Sequence, residues 1–250
     1  MCIIRLSLKN ILKQTMPHCI TLSPTAPCLR LIVVVLLLGV SFLLPAVVGD
    51  SFNITISDKQ FSAIERKYKA VGRKRVADWV QLVYSSQGKS TEDKLVLVND
   101  FFNQNVLWVS DYDHYGVEDY WSTPLETIAS GGGDCEDFSI AKYFTLIALN
   151  VPMEKLTITY VKADTVNPVN RSHMVLTYYE KPAAVPLVLD NLNPEIKPAS
   201  ERKDLAPVYT FNGQGLWLAK ERASGKSRAG SPSSIALWRD MTSRMGKEFE

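Results

Sequence analysis

The chain changes its hydrophobic period once, near residue 150, and that change restricts the fold more than any other feature. Before it, apolar residues recur every three or four positions. Phe61, Ile64 and Tyr68 follow a capping Ser57 or Asp58, Val76, Val80 and Val83 stand beside Trp79, and Leu95, Val98 and Phe102 follow Thr91. This is the period of amphipathic helices. Thr123-Pro124 opens a further short helix, because proline suits a first helical turn. Gly131-Gly132-Gly133 interrupts the chain, and a helix resumes at Asp134 and runs to about Leu149. Residues 108–121 are aromatic, acidic and irregular. Beyond the change, residues 156–161 alternate and are rich in β-branched side chains, as strands are. Residues 173–179 and 187–189 read as two more strands around a turn at 181–186. Residues 207–211 and 216–219 suggest a further pair, 224–234 a loop and 235–245 a closing helix. Helices followed by an antiparallel sheet, with no internal repeat, predict an α+β fold in one domain.

Residues 1–49 have a different composition. They carry Arg5, Lys9, Lys13 and Arg30, no Asp or Glu, and an apolar run at 31–44 broken only by Gly39 and Ser41. Pro45 ends the run, and Ala46, Val47, Val48 and Gly49 follow it. A basic start, an apolar stretch and small residues after it read as a secretory signal. A membrane span needs about 20 apolar residues, which this run reaches only by taking in Pro45. The alternative is an uncleaved inner-membrane anchor. Residues 50–250 then form the exported domain. The leader holds four of the 28 Lys and Arg and none of the 26 Asp and Glu, so a net charge of +2 becomes −2 in the remainder. Neither value argues for a nucleic-acid partner. A content of 46% hydrophobic and 22% charged residues excludes a disordered or collagen-like chain.

Cys2, Cys19 and Cys28 lie in the leader, and Cys135 is the one cysteine beyond it. A lone cysteine in an oxidising compartment cannot close an internal disulfide. It is an inert buried side chain, an intermolecular link or a reactive thiol. Its position favours the last. It follows three glycines and Asp134 at the first turn of a predicted helix, where free N–H groups and the helix dipole stabilise a thiolate. Asp134, Glu136 and Asp137 oppose that charge unless something positive neutralises them. His173 lies at the start of one predicted strand and Asp190 at the end of the next, so a hairpin would set them side by side. Together the three match a nucleophile, a base and an orienting carboxylate. His114, among Tyr112, Tyr115 and acids, reads as a surface or packing residue. Trp108, Tyr120 and Trp121 read as core or cleft wall, and Arg73-Lys74-Arg75 as a solvated helix start.

Gly-Gly-Gly-Asp-Cys-Glu-Asp-Phe, then Ser-His-Met-Val-Leu, then Leu-Val-Leu-Asp-Asn resemble the bacterial transglutaminase-like cysteine proteinases over roughly residues 55–220. The resemblance is greatest to the periplasmic members that release a large surface adhesin. It implies a papain-like, transglutaminase-core fold for residues 50–250. It implies Cys135 as nucleophile, His173 as base, Asp190 as orienting carboxylate, and the Cys135 backbone N–H in an oxyanion hole. It also implies calcium. Asp134, Glu136 and Asp137 would be its ligands, with Asp111, Asp113, Glu118 and Asp119 as possible additions; the spacing is not that of an EF-hand. The implied substrate is the N-terminal region of a surface adhesin, cut near small residues such as paired Ala. The implied regulator is an inner-membrane cyclic-di-GMP receptor of the LapD type that sequesters the protease. Two other readings share these residues: a transglutaminase-like acyl transferase, in which an amine resolves the thioester, and a non-catalytic calcium-binding module with an unreactive thiol.

Overall fold

The computed structural model describes residues 54–164, 171–223 and 228–248. The predicted leader at 1–49 lies outside the described residues, as does part of the predicted loop at 224–234. No helix among the described residues is long and apolar enough to cross a membrane.

Helix α1 (Asp58–Ser86) begins with a capping box between Ser57 and Gln60. It kinks at Lys69, whose φ of 64° is left-handed, one residue beyond Tyr68, the last of the first apolar triplet. Helix α2 (Thr91–Asn105) is capped by Ser90. The segment expected to be irregular contains strand β1 (Leu107–Trp108) and a short helix α3 (Asp111–Tyr115) capped by Ser110. Helix α4 (Pro124–Ser130) starts with a Thr123–Glu126 capping box and proline in its first turn. Gly132–Gly133 forms β2, which pairs in parallel with β1. Helix α5 (Cys135–Ala148) follows, with every residue but Ile147 buried. A helix buried on all sides belongs at the centre of a fold.

The rest of the chain is a six-stranded antiparallel sheet: β3 (Leu156–Ala163), β4 (Arg171–Tyr178), β5 (Leu187–Leu189), β6 (Lys197–Pro198), β7 (Leu205–Asn212) and β8 (Gly215–Leu218). The spatial order is β6-β5-β4-β3-β7-β8. Two short helices, α6 (Ala219–Ala223) and α7 (Ala236–Glu248), complete it. Ile158, Met174, Leu176, Leu189 and Phe211 face the main core with Trp79, Phe102, Ile140 and Leu146 of the helices. The other face carries Val161, Val175 and Val188, beside a chain of hydroxyl hydrogen bonds through Thr157, Thr177, Thr159 and Thr210. The α+β architecture therefore follows the change of period in the sequence. β6, β1 and β2 were not expected, since two-residue strands carry no alternation to read.

Two sequence expectations are corrected. Of the core or cleft-wall places expected for Trp108, its exposure on β1 removes the core, whereas Trp121 is buried and stacks on Phe211 with centroids 5.9 Å apart. The basic run at 73–75 lies inside α1, and Arg75 is half-buried and turned onto the neighbouring helix. Its guanidinium donates to the carbonyls of Ile128 (2.9 Å), Ala129 (2.6 Å) and Ser130 (2.7 Å). These are the acceptors that a helix C-terminus leaves without intrahelical partners. Arg75 thus fixes the end of α4, immediately before the three glycines. Charge-assisted hydrogen bonds contribute roughly 1.5–3 kcal/mol each at most, and non-additively. Arg75→Met is expected to lower the unfolding free energy by about 2–3 kcal/mol, read from the denaturant midpoint. A change below about 0.5 kcal/mol would refute this role.

Candidate active site

Three features put Cys135 at a helix start. Gly131 ends α4 in the left-handed region (φ 73°), its N–H returning to Thr127 O at 2.9 Å. The next two residues run straight, held by hydrogen bonds from Leu107 N to Gly131 O (2.9 Å) and from Val109 N to Gly133 O (3.0 Å). Gly133 passes so close to Asp137 that a Cβ there would meet Oδ2 at 2.7 Å. Asp134 is the N-cap, and α5 begins with Cys135. The cysteine is 4% exposed, and its Sγ–H donates to Glu136 Oε2 at 2.9 Å. Both are charge-sensitive groups at the positive end of a helix.

Helix α5 lies against β4, the strand that carries His173. The antiparallel β4–β5 pair brings His173 and Asp190 together, with Nε2 and Oδ1 2.8 Å apart. Both are buried. Because the carboxylate accepts, Nε2 carries the proton, and Nδ1 is the nitrogen left for other work. Asp190 Oδ1 also accepts from Leu192 N at 3.0 Å, and Oδ2 accepts from Arg202 Nη2 at 2.7 Å. Burial alone would raise this carboxyl. The hydrogen bond and charge of His173, the Leu192 amide and Arg202 outweigh burial and bring its pKa down to about 2. Arg202 is itself held by Asp204, through Nε to Oδ1 at 2.9 Å and Nη2 to Oδ2 at 2.8 Å. Asp190 is therefore held as an anion of fixed orientation at neutral pH.

The opposite arrangement surrounds Cys135. Carboxylate oxygens of Asp111, Asp134 and Asp137 lie within 4.8 Å of one another, as do those of Asp111, Asp119 and Glu136. Asp137 is engaged internally: it accepts from Ser122 N (2.7 Å), Ser122 Oγ (3.3 Å) and Asp134 N (3.3 Å). Asp111 accepts from Tyr120 N through Oδ2 at 2.7 Å. Its Oδ1, and the Oδ1 atoms of Asp119 and Asp134, are buried with no hydrogen-bond partner. Burial, against the Tyr120 amide, pushes Asp111 up to about 6. Burial and the neighbouring Asp111 push Asp119 to about 6 and Asp134 to about 7. Glu136 and Asp137 are raised well above their ordinary values, chiefly by burial and then by adjacent charges. Three orphaned, buried oxygens among five carboxyls suit a hard divalent cation with oxygen ligands. Asp111, Asp119, Asp134 and Glu136 are placed to hold one; Asp137, also expected as a ligand, is grouped with Asp111 and Asp134 but accepts hydrogen bonds through both of its oxygens.

Of the sequence-derived candidates, His173 and Asp190 are thus in direct contact. Cys135 heads α5, the helix that lies against the strand of His173, and shares its surroundings with Asp134, Glu136 and Asp137. Asp111 and Asp119 join that cluster. Asp113 and Glu118 are exposed, and Asp113 accepts from Ser110 Oγ and caps α3 with it. His114 is half-buried, its ring 4.3 Å from that of Tyr115, in keeping with a packing role. Arg202 was missed. In Glu201-Arg202-Lys203-Asp204 it looks like one charge in a solvated run.

The family described as bacterial transglutaminase-like cysteine proteinase matches residues 67–206. A solved structure of Legionella pneumophila LapG is 42% identical, covers 76% of this chain and 98% of its own, and superposes with a TM-score of 0.64. The EGTA-treated form gives 42%, 76%, 98% and 0.65. The calcium-bound form gives 43%, 76%, 99% and 0.63. Among curated proteins no match was found.

The acidic cluster generates a prediction. Asp111, Asp119 and Asp134 bind protons more tightly in the folded chain than in an unfolded one, where carboxyls titrate near 4. Their protonation favours the fold below that value, and the advantage is lost as pH rises through about 6 to 7. Asp190 has the opposite sign, but its contribution is complete above about 4 and is lost only toward about 2. In chelator, the thermal midpoint should therefore fall from about pH 5 to about pH 8. A level midpoint across that range would contradict the charge state described.

Proposed function

Because the chain belongs to the bacterial transglutaminase-like cysteine proteinases, we propose that this cysteine peptidase is a periplasmic, calcium-dependent endopeptidase with a Cys135–His173–Asp190 triad. One observation carries the reading. A single thiol heads α5 between two carboxylates of a buried acidic cluster, and α5 lies against the strand whose His173 is tied to Asp190. The calcium-bound and EGTA-treated forms of the similar Legionella protein support the choice of cation. Asp111, Asp119, Asp134 and Glu136 would hold it, with Asp137 orienting Asp134 and the Ser122 loop. Bound there, calcium supplies positive charge that removes the conflict between these carboxylates and a thiolate.

The residues then act in sequence. Cys135 passes its proton to His173 Nδ1, since Nε2 is engaged by Asp190. The helix start stabilises the thiolate, and Asp190 stabilises the imidazolium and keeps the ring aligned. The thiolate adds to the scissile carbonyl carbon, and the Cys135 backbone N–H stabilises the developing oxyanion. The imidazolium protonates the departing amine, which leaves a thioester on Cys135. His173 then takes a proton from water as it attacks, and the carboxylic acid product and thiol are released. The family resemblance supports the N-terminal region of a large surface adhesin as substrate, cut near paired small residues so that the cell detaches. The same resemblance supports sequestration by an inner-membrane cyclic-di-GMP receptor of the LapD type. The composition of residues 1–49 supports export.

The test uses a purified N-terminal fragment of the adhesin encoded by the same organism. Wild type with calcium should give one cut, identified by end-sequencing of the products. Chelator should stop it and added calcium restore it. Cys135→Ala should abolish cleavage, and Asp190→Asn should reduce kcat by on the order of 10²–10⁴-fold. Cleavage by the Cys135→Ala variant would end this reading. So would amine incorporation in place of free new ends, which would make the protein an acyl transferase.

A further inference from the structure

Lys142 lies seven residues beyond Cys135 on α5, two turns along the same side of the helix. It is 0% exposed, which lysine rarely is unless its charge is matched. Its Nζ donates to Asn99 Oδ1 of α2 at 2.8 Å and to the backbone carbonyl of Asp190 at 3.2 Å. It also lies 5.7 Å from the centroid of the Phe138 ring. The Asp190 carbonyl accepts a second hydrogen bond, from Asn103 Nδ2 of α2 at 2.9 Å. Asn99 continues the connection by donating Nδ2 to Pro194 O at 2.7 Å, in the loop after β5.

This is an expensive device. Burial pulls the ammonium down to about 7, although the charges of Asp190 and Asp100 hold it up. A packing role at this position would be filled more cheaply by Met or Leu, because a buried ionic group seldom adds net stability over a hydrophobe of its size. A hydrophobe would not supply a donor aimed at the main chain of the residue whose side chain holds His173. The direction of the Asp190 Cα–Cβ bond is set by that main chain. Displacements near 1 Å at a reacting centre cost on the order of 10²-fold in rate.

We propose that Lys142 is a positioning residue, which fastens the Asp190 main chain to the helix that carries the nucleophile and so keeps thiol, imidazole and carboxylate in one frame. The inference rests on the triad assigned above. It predicts a specific kinetic signature. Lys142→Met, close in volume, should lower kcat on the adhesin fragment by about 10–100-fold. KM should stay within about twofold, because the residue touches no substrate. Calcium affinity, measured by titration calorimetry with the metal alone, should not change. The rate at which iodoacetamide alkylates Cys135 at about pH 6 should fall by about tenfold or more, because thiolate formation there depends on an aligned His173.

Alkylation needs no protein substrate, so the two hypotheses fail separately. Fast alkylation of wild type without cleavage of the fragment removes the proposed substrate and leaves the lysine test standing on the alkylation ratio. Slow alkylation of wild type, at the rate of an ordinary thiol, overturns both. Equal kcat and equal alkylation in wild type and Lys142→Met overturns the lysine proposal alone, as does a variant that loses KM or calcium affinity instead of kcat. Should Lys142→Met not fold, Asn103→Leu removes the other donor from the same carbonyl at a half-buried position. It should show the same signature at smaller size, about threefold or more in kcat with KM unchanged. An unchanged kcat there overturns the proposal.

Discussion

Asp190 accepts hydrogen bonds from His173 on β4, Leu192 in its own loop, Arg202 before β7, Lys142 on α5 and Asn103 on α2. Three of these reach the carboxylate and two the main-chain carbonyl. One buried anion therefore joins helical and sheet parts of the chain that lie as much as 99 positions apart, from Asn103 to Arg202. Such a group is costly to bury without partners. With them it is a fixed point, and the orientation of His173 follows from it. Arg202 ties the network to Asp204, where it reaches half-exposed surface.

The other end of the site has the reverse balance. Around Asp190, cations and donors meet one carboxylate. Around Cys135, carboxylates meet one another, and burial raises Asp134 to about 7 and Glu136 and Asp137 well above their ordinary values. The helix start offsets some of this charge, worth up to about 2 kcal/mol in a partly buried geometry. That is small beside the several kcal/mol for burying each unpaired ion. The region must take up protons or a cation, and a thiolate there competes with its own neighbours until one arrives.

These two ends were not equally legible in the sequence. The start signals at Ser57, Thr91 and Thr123-Pro124 located the beginnings of α1, α2 and α4 to within a residue, whereas α3 and α6 were not expected. The glycines before Cys135 marked the helix start because only they fit the left-handed turn at Gly131 and the close pass at Gly133. His173 and Asp190 were recoverable from strand order, since an antiparallel hairpin pairs the start of one strand with the end of the next. Arg202 and Arg75 were hidden in charged runs, where local pattern gives no sign of which member turns inward. Lys142 did leave a trace, as a lone charge in Phe138-Ser-Ile-Ala-Lys-Tyr-Phe-Thr-Leu-Ile, a run too apolar for a surface helix. Asp111 and Asp119 were reached through the family resemblance, because their spacing belongs to no general metal motif.

The two halves of the acidic cluster are joined by the chain's own hydrogen bonds. Residues 111–119 follow directly from β1, which is laddered to Gly132 and Gly133, and Gly133 precedes Asp134. A second tie runs from Ser122 to Asp137, and a third from the Tyr120 amide to Asp111. Arg75 anchors the end of α4, and Arg244 of α7 donates to Glu126 at 121–126, as well as to Trp121 O at 2.5 Å. Backbone pairing, the Ser122 and Tyr120 donors and the two arginines thus hold the segments that carry the carboxylates, and a bound cation would add its charge to them. By removing the field that opposes a thiolate at the head of α5, it would act on the chemistry of Cys135.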